Sequence, residues 1–141
     1  MVTDMKRDVS VSFEKQGDNS FACIVNEEFD KFGLIGYGST AREAERDVFV
    51  SLSETKENLG SENVPDISIS FRKFDVGSFF SYYPFFNVSQ FAKYAKLNPA
   101  QIRQYASGVR QPTQQKKELI EESIKRIVEE LSVASHAFGI D

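Results

Sequence analysis

Helix punctuation divides the second half of the chain, and its spacing restricts the fold more than any other feature. Asn98-Pro99 sets a cap residue before a proline at the first helical position, where the missing proline N–H costs nothing because the first turn leaves it unpaired anyway. Gly108 supplies the left-handed stop for a helix from Asn98 to about Ser107. Upstream, Asn87 followed by Gln90 has capping-box spacing and opens a helix through Ala95. Asp75 caps an earlier helix through Tyr83, which Pro84 ends. Downstream, Pro112-Thr113 opens a long last helix. Its apolar positions Ile120, Ile124, Ile127, Leu131, Ala134 and Phe138 follow at spacings of 4, 3, 4, 3 and 4, which places them on one face. Residues 75–141 therefore read as all-α, with only Lys96-Leu97 between the second and third helices.

Residues 1–74 carry a different period. Val9, Val11 and Phe13 alternate with Ser10, Ser12 and Glu14, the signature of a half-buried strand. Gly17-Asp18-Asn19 is a turn signal before a second strand, Phe21 to Val25, and a third is expected over Phe32 to Tyr37. Thr40 and Glu43 form a capping box for a helix whose stripe is Ala44, Val48, Leu52 and Thr55, widened by Phe49 and Leu59 and ending near Gly60. Ile67, Ile69 and Phe71 alternate with serines and Arg72 as a fourth strand. The predicted class is α+β, an N-terminal β-β-β-α-β domain followed by an all-α domain with a long C-terminal helix.

Net charge is −4, yet its distribution is uneven. Residues 1–75 hold 9 basic and 15 acidic side chains, and residues 118–141 hold two and six. Between them, residues 76–117 carry six basic groups and no carboxylate. A local field of +6 between acidic flanks attracts a polyanion where a phosphate backbone would lie.

The inward positions of the two central helices are Phe91, Ala92, Ala95, Leu97, Ile102 and Tyr105, and the small Ala92 and Ala95 permit close approach at a steep angle. The second helix then projects Ala100, Gln101, Arg103, Gln104 and Ser107 outward. Gln pairs bidentately with adenine and Arg with guanine in the major groove. Lys93, Lys96, Arg110, Lys116 and Lys117 suit phosphates, which fix register without reading sequence.

The run from Phe91 to Pro99, followed by Ile102, Tyr105 and Gly108-Val109-Arg110-Gln111-Pro112, resembles the helix-turn-helix family of phage-repressor type. The resemblance implies that Pro99, Ala100, Gln101, Arg103 and Gln104 face bases, with Asn98 opening that helix, and that Gln90 touches a phosphate. The turn departs from the family at Lys96, where glycine is usual; a lysine there either accepts about 1 kcal/mol of left-handed strain or bends the turn differently.

Over residues 9–74 the element order, with Gly36-Tyr37-Gly38-Ser39-Thr40-Ala41-Arg42-Glu43-Ala44 as its most recognisable piece, resembles the HicB-like antitoxin domain, a partial ribonuclease H-like fold. That resemblance implies a dimeric antitoxin that binds a small basic toxin, often an RNA-cleaving one, and represses its own operon through double-stranded operator DNA. Glu27 to Phe32 lacks the prolines common in the family at that place. The alternative is a stand-alone regulator whose N-terminal domain only dimerises or senses a ligand.

Enzymatic, metal and cofactor roles are not expected. Asp8, Glu14, Asp18, Glu27, Glu28 and Asp30 fall mainly at turns and termini rather than converging as two-metal chemistry requires, and His136 has no companion ligand. Cys23 is the only cysteine, sits in an apolar strand and reads as a small buried hydrophobe. Phe79, Phe80, Tyr82, Tyr83, Phe85 and Phe86 read as packing between the halves, since no cations interleave with the rings. The polar run Met1 to Asp8 and the lack of a long apolar stretch predict a cytoplasmic protein without signal peptide or membrane span.

Overall fold

The computed structural model describes residues 6–139, so the first five residues of the polar Met1–Asp8 run lie outside it. It is α+β. Strands β1 (Lys6–Gly17), β2 (Ser20–Val25) and β3 (Ile35–Gly38) precede helix α1 (Ala41–Leu59), and strand β4 (Asp66–Phe74) follows it. Four further α-helices follow among the described residues: α2 (Val76–Tyr82), α3 (Val88–Tyr94), α4 (Pro99–Ser107) and α5 (Gln114–Val133). The sheet order is β3-β2-β1-β4, with β1 antiparallel to β2 and parallel to β4. No helix among the described residues is long and apolar enough to cross a membrane.

The β1–β2 hairpin turns where Asn19 takes a positive φ of 54°, a conformation asparagine tolerates better than most residues. Alternation in β1 has the expected result, with Val9, Val11 and Phe13 buried on the face covered by α1. Helix α1 lays Ala41, Ala44, Val48 and Leu52 on the sheet. The approach is closest at β3, where a Cβ on Gly36 would overlap the Ala44 carbonyl oxygen and one on Gly38 would overlap the Ala44 nitrogen. These two glycines let helix and strand backbones touch. Thr40 Oγ1 accepts from the Glu43 N–H at 3.1 Å, while Glu43 accepts from the Ser39 N–H at 3.0 Å. The reciprocal cap thus reaches one residue further back than the usual box. Hydrogen bonding from Ser39 holds the Glu43 carboxyl below its ordinary range.

Two expectations about this half need correction. The third strand is shorter than Phe32 to Tyr37, because Phe32 lies in the irregular segment before it and stacks on Phe29 at 4.6 Å between centroids. In β4 the alternation breaks: the register passes from Val9↔Ile69 to Ser10↔Phe71, so Ser70 is an extra residue. A bulge of one residue exchanges the two faces of a strand from that point on. Phe71 therefore points away from the core and is 62% exposed. Arg72 takes the inward place and meets Glu45 of α1 at 2.6 Å. The Tyr82 hydroxyl donates to the same carboxylate at 3.1 Å, and Arg42 stacks over the Tyr82 ring at 4.1 Å. Pairing with Glu45 raises the Arg72 pKa; burial first, then the Glu45 charge, raises that of Tyr82.

Cys23 is fully buried, and desolvation, reinforced by the Glu45 charge, pushes its thiol up to about 12.

Helix α2 supplies both cores. Tyr82 packs with the sheet and α1, whereas Phe80 packs with Phe91, Ala92, Ile102, Tyr105 and Ile120 of the other helices. The aromatic run is continuous, from Phe13 stacked on Phe74 at 4.9 Å through Phe79 and Phe80 to Phe91. Phe85 is the exception, 76% exposed.

Because the bulge decides which aromatic side chain is buried, Phe71→Ser is expected to change stability by no more than about 0.5 kcal/mol. Phe74→Ala should cost about 2 kcal/mol or more. Urea unfolding of the two variants checks the assignment, and the reverse ranking would place the strand in the unbulged register.

Candidate nucleic-acid interface

Helices α3 and α4 are short, so their ends decide their geometry. Asn87 Oδ1 accepts from the Gln90 N–H at 2.9 Å and starts α3. Its far end closes with Ala95 in helical conformation and Lys96 at φ 59°. The Leu97 N–H reaches back to the Ala92 carbonyl at 2.9 Å and the Lys96 N–H to Lys93 at 3.1 Å. That pair of bonds is a Schellman closure, which satisfies carbonyls the helix end would leave free. Lys96 thus takes the left-handed alternative of the two that its position allowed, and no other described non-glycine residue besides Asn19 has positive φ.

Immediately beyond, Asn98 Oδ1 accepts from the Ala100 and Gln101 N–H groups at 2.9 and 3.2 Å, and Pro99 occupies the first turn of α4. The helix buries Ile102 and Tyr105 and stops at Gly108 with φ 81°. A Cβ at Gly77 would sit 2.9 Å from the Ala106 carbonyl oxygen, so the absence of a side chain there lets α2 brace α4 at backbone contact. The aliphatic part of Lys15, from β1, lies over both Gly77 and Gly108.

Ala100, Arg103, Gln104 and Ser107 of α4 are exposed, with Pro99 and Gln101 half-buried. Arg103 Nη1 donates to Ser89 Oγ at 2.9 Å, which puts its guanidinium beside the start of α3, next to Gln90. The Arg110 N–H donates to the Gln104 carbonyl at 3.2 Å and holds the loop after α4 against that helix. Arg103 is therefore tied to the first turn of α3, which also carries Gln90, and the Arg110 backbone is tied to α4 at Gln104. Lys93 and Lys96 stand exposed at the opposite end of α3, around the turn where exposed Asn98 caps α4. Lys116 and Lys117 occupy the first turn of α5, behind its Thr113 cap; among the described residues no hydrogen bond ties them to α4. That first turn has no acidic residue. Two cations where the helix dipole is positive are unfavourable by themselves and suit a bound anion.

Sequence reasoning missed Ser89, whose hydroxyl orients Arg103, since nothing in the spacing of 14 residues marks a partner. It also missed Lys15 as a neighbour of the α4 terminus, because that contact joins distant parts of the chain. Among the described residues no group of three or more His, Cys, Asp and Glu could hold a metal ion. The carboxylate of Glu27 instead accepts from the Ser10 N–H at 2.9 Å.

Helix α5 starts against this region and continues past it. Ile120 is buried and Ile124 and Ile127 pack partly on the second core, with the Tyr94 hydroxyl donating to Glu130 at 3.0 Å. The same stripe then runs on without cover, leaving Leu131 64% exposed. Helix α5 stops at Val133, however, and a single 3-10 turn, Ala134–His136, follows. The expected helix positions Ala134 and Phe138 therefore fall beyond it, with Phe138 91% exposed.

No known protein family, curated protein or solved structure matches the chain.

If the turn stores left-handed strain, Lys96→Gly should raise stability by about 0.5–1 kcal/mol. This is the ~1–2 kcal/mol penalty on an L side chain less the glycine entropy cost of ~0.5–1 kcal/mol. Chemical denaturation measures it, and a destabilised variant would show that the lysine contributes contacts outweighing the strain.

Proposed function

We propose that the chain is a DNA-binding transcriptional regulator in which α3, the Lys96 turn and α4 act as a helix-turn-helix of phage-repressor type. The observation that carries this reading is α4 itself. It is capped at both ends, anchored by two buried residues, and presents Gln101, Arg103, Gln104 and Ser107 from a segment with six cations and no carboxylate. Gln101 and Gln104 supply donor–acceptor pairs for adenine and Arg103 a fork for guanine. Gln90, Lys93, Lys96, Arg110, Lys116 and Lys117 contact phosphates. The Arg103–Ser89 bond holds the guanidinium in place before DNA arrives, which lowers the entropy lost on binding.

The first half supports a narrower proposal, a HicB-like antitoxin that binds a small basic toxin and represses its own operon. Its support is the β-β-β-α-β order and the net of −6 over residues 1–75, which complements a basic partner. This half of the proposal falls if no neighbouring gene encodes a small basic protein that the chain binds.

Binding to the chain's own upstream DNA at several salt concentrations tests the reading. Replacing Gln101 and Gln104 with Ala is expected to relax sequence preference by about 1–3 kcal/mol per lost base contact. Lys116→Ala should weaken binding to all sequences alike and reduce the salt slope by about one. Binding that no substitution alters would remove the proposed face, and binding without sequence preference would remove the operator-specific role.

A repressor of this kind reads a pseudo-palindrome with two copies of its helix about one DNA turn apart. The uncovered stripe of α5, continuous with the protein's own core, is the surface proposed to meet a second copy. Leu131→Asp should shift the chain to monomer in sedimentation while leaving the helical content unchanged; an unchanged mass would exclude this stripe as the contact.

A further inference from the structure

A cleft of about 530 Å³ lies between the start of β1, the irregular segment after β2 and the end of α1. That volume is within the ~300–1,000 Å³ of small-molecule sites. Its apolar wall is the stacked pair Phe29 and Phe32, backed by Leu59 and Pro65. Among the described residues Lys6, Arg7 and Lys31 line it as well, against one carboxylate, Asp30. Three cations to one acid among those residues is a local reversal in a half of the chain whose net charge is −6. A half-enclosed site with cationic walls focuses that field and selects anions.

From this arrangement we infer that the cleft is a binding site for a small organic anion with a flat apolar body. The rings take the body and the cations take the headgroup. Arg7 is already stacked over Phe29, 4.7 Å from its ring centroid. A guanidinium over a ring face is attracted by the ring without using up its N–H donors, and their bidentate pairing with an oxyanion is stronger than a neutral hydrogen bond. Lys6 and Arg7 are exposed at the beginning of β1 and Lys31 is exposed on the loop, so none of the three is required by the core. The site is independent of the α4 surface and of the regulatory reading built on it.

Three probes test the inference on the full chain by NMR titration: 2-naphthoate, phenyl phosphate and the neutral 2-naphthalenemethanol. The expected result is saturable binding of at least one anion, with amide shifts concentrated at residues 6–7, 29–32 and 59–65. The alcohol should bind about tenfold or more weakly than the naphthoate, about 1.4 kcal/mol for the lost charge. Tighter binding of phenyl phosphate assigns the headgroup to phosphate monoesters, and tighter binding of naphthoate assigns it to carboxylates. The double variant Arg7→Gln, Lys31→Gln should lose about tenfold or more in affinity while its amide spectrum stays folded, and Lys125→Gln, at an exposed position of α5 away from the cleft, should bind as the parent does. Shifts scattered over other surfaces, equal binding of acid and alcohol, or full affinity in the double variant would each overturn the site.

Discussion

The Asp75 carboxylate is the joint on which the arrangement of the molecule depends. One oxygen accepts from the Ser78 N–H at 2.8 Å and caps α2, and the other accepts from the Lys15 N–H of β1 at 2.8 Å. A single side chain thus starts the helix that supplies both cores and fixes that helix to the central strand. Helix α2 in turn carries Tyr82 to Glu45 and Arg72 on one side and Phe80 to the helical cluster on the other. The α4 surface is positioned from the sheet outward by this chain of contacts, and the backbone approach at Gly77 admits no side chain that would loosen it. Coupling between the halves is therefore a property of packing along the Phe74–Phe79–Phe80–Phe91 series rather than of a linker.

Features set by local chemistry were legible in the sequence. Thr40, Asp75, Asn87, Asn98 and Thr113 all cap the helices that their spacing announced, and Gly108 ends α4 in the left-handed conformation. Each such signal involves residues only a few positions apart. The exposed row of α4 was legible for the same reason, because burial of Ile102 and Tyr105 determines which residues face outward. What escaped was set by distant partners. The Ser70 bulge depends on how β4 meets β1, and no period within β4 reveals it. The uncovered end of α5 follows a regular apolar spacing that says where a face is but not what covers it.

The bulge also shows how one inserted residue redistributes chemistry. It moves a phenyl ring to the surface and brings a guanidinium under α1, where it donates to the Glu45 carboxylate, which also accepts from the Tyr82 hydroxyl. A partly buried carboxylate with two such partners avoids the penalty that an unpaired one would carry. The polar junction of α1, α2 and β4 and the exposed Phe71 therefore have one cause.

Cys23 gives the fold a built-in reporter. The thiolate is the reactive form, and at full burial with a pKa of about 12 the folded chain offers almost none of it near neutral pH. Alkylation must then wait until β2 parts from its neighbours, and the exchange rate of one sulfur atom with a thiol reagent becomes a clock for opening of the sheet. Any ligand or partner that holds the first core closed would slow that clock without touching the cysteine.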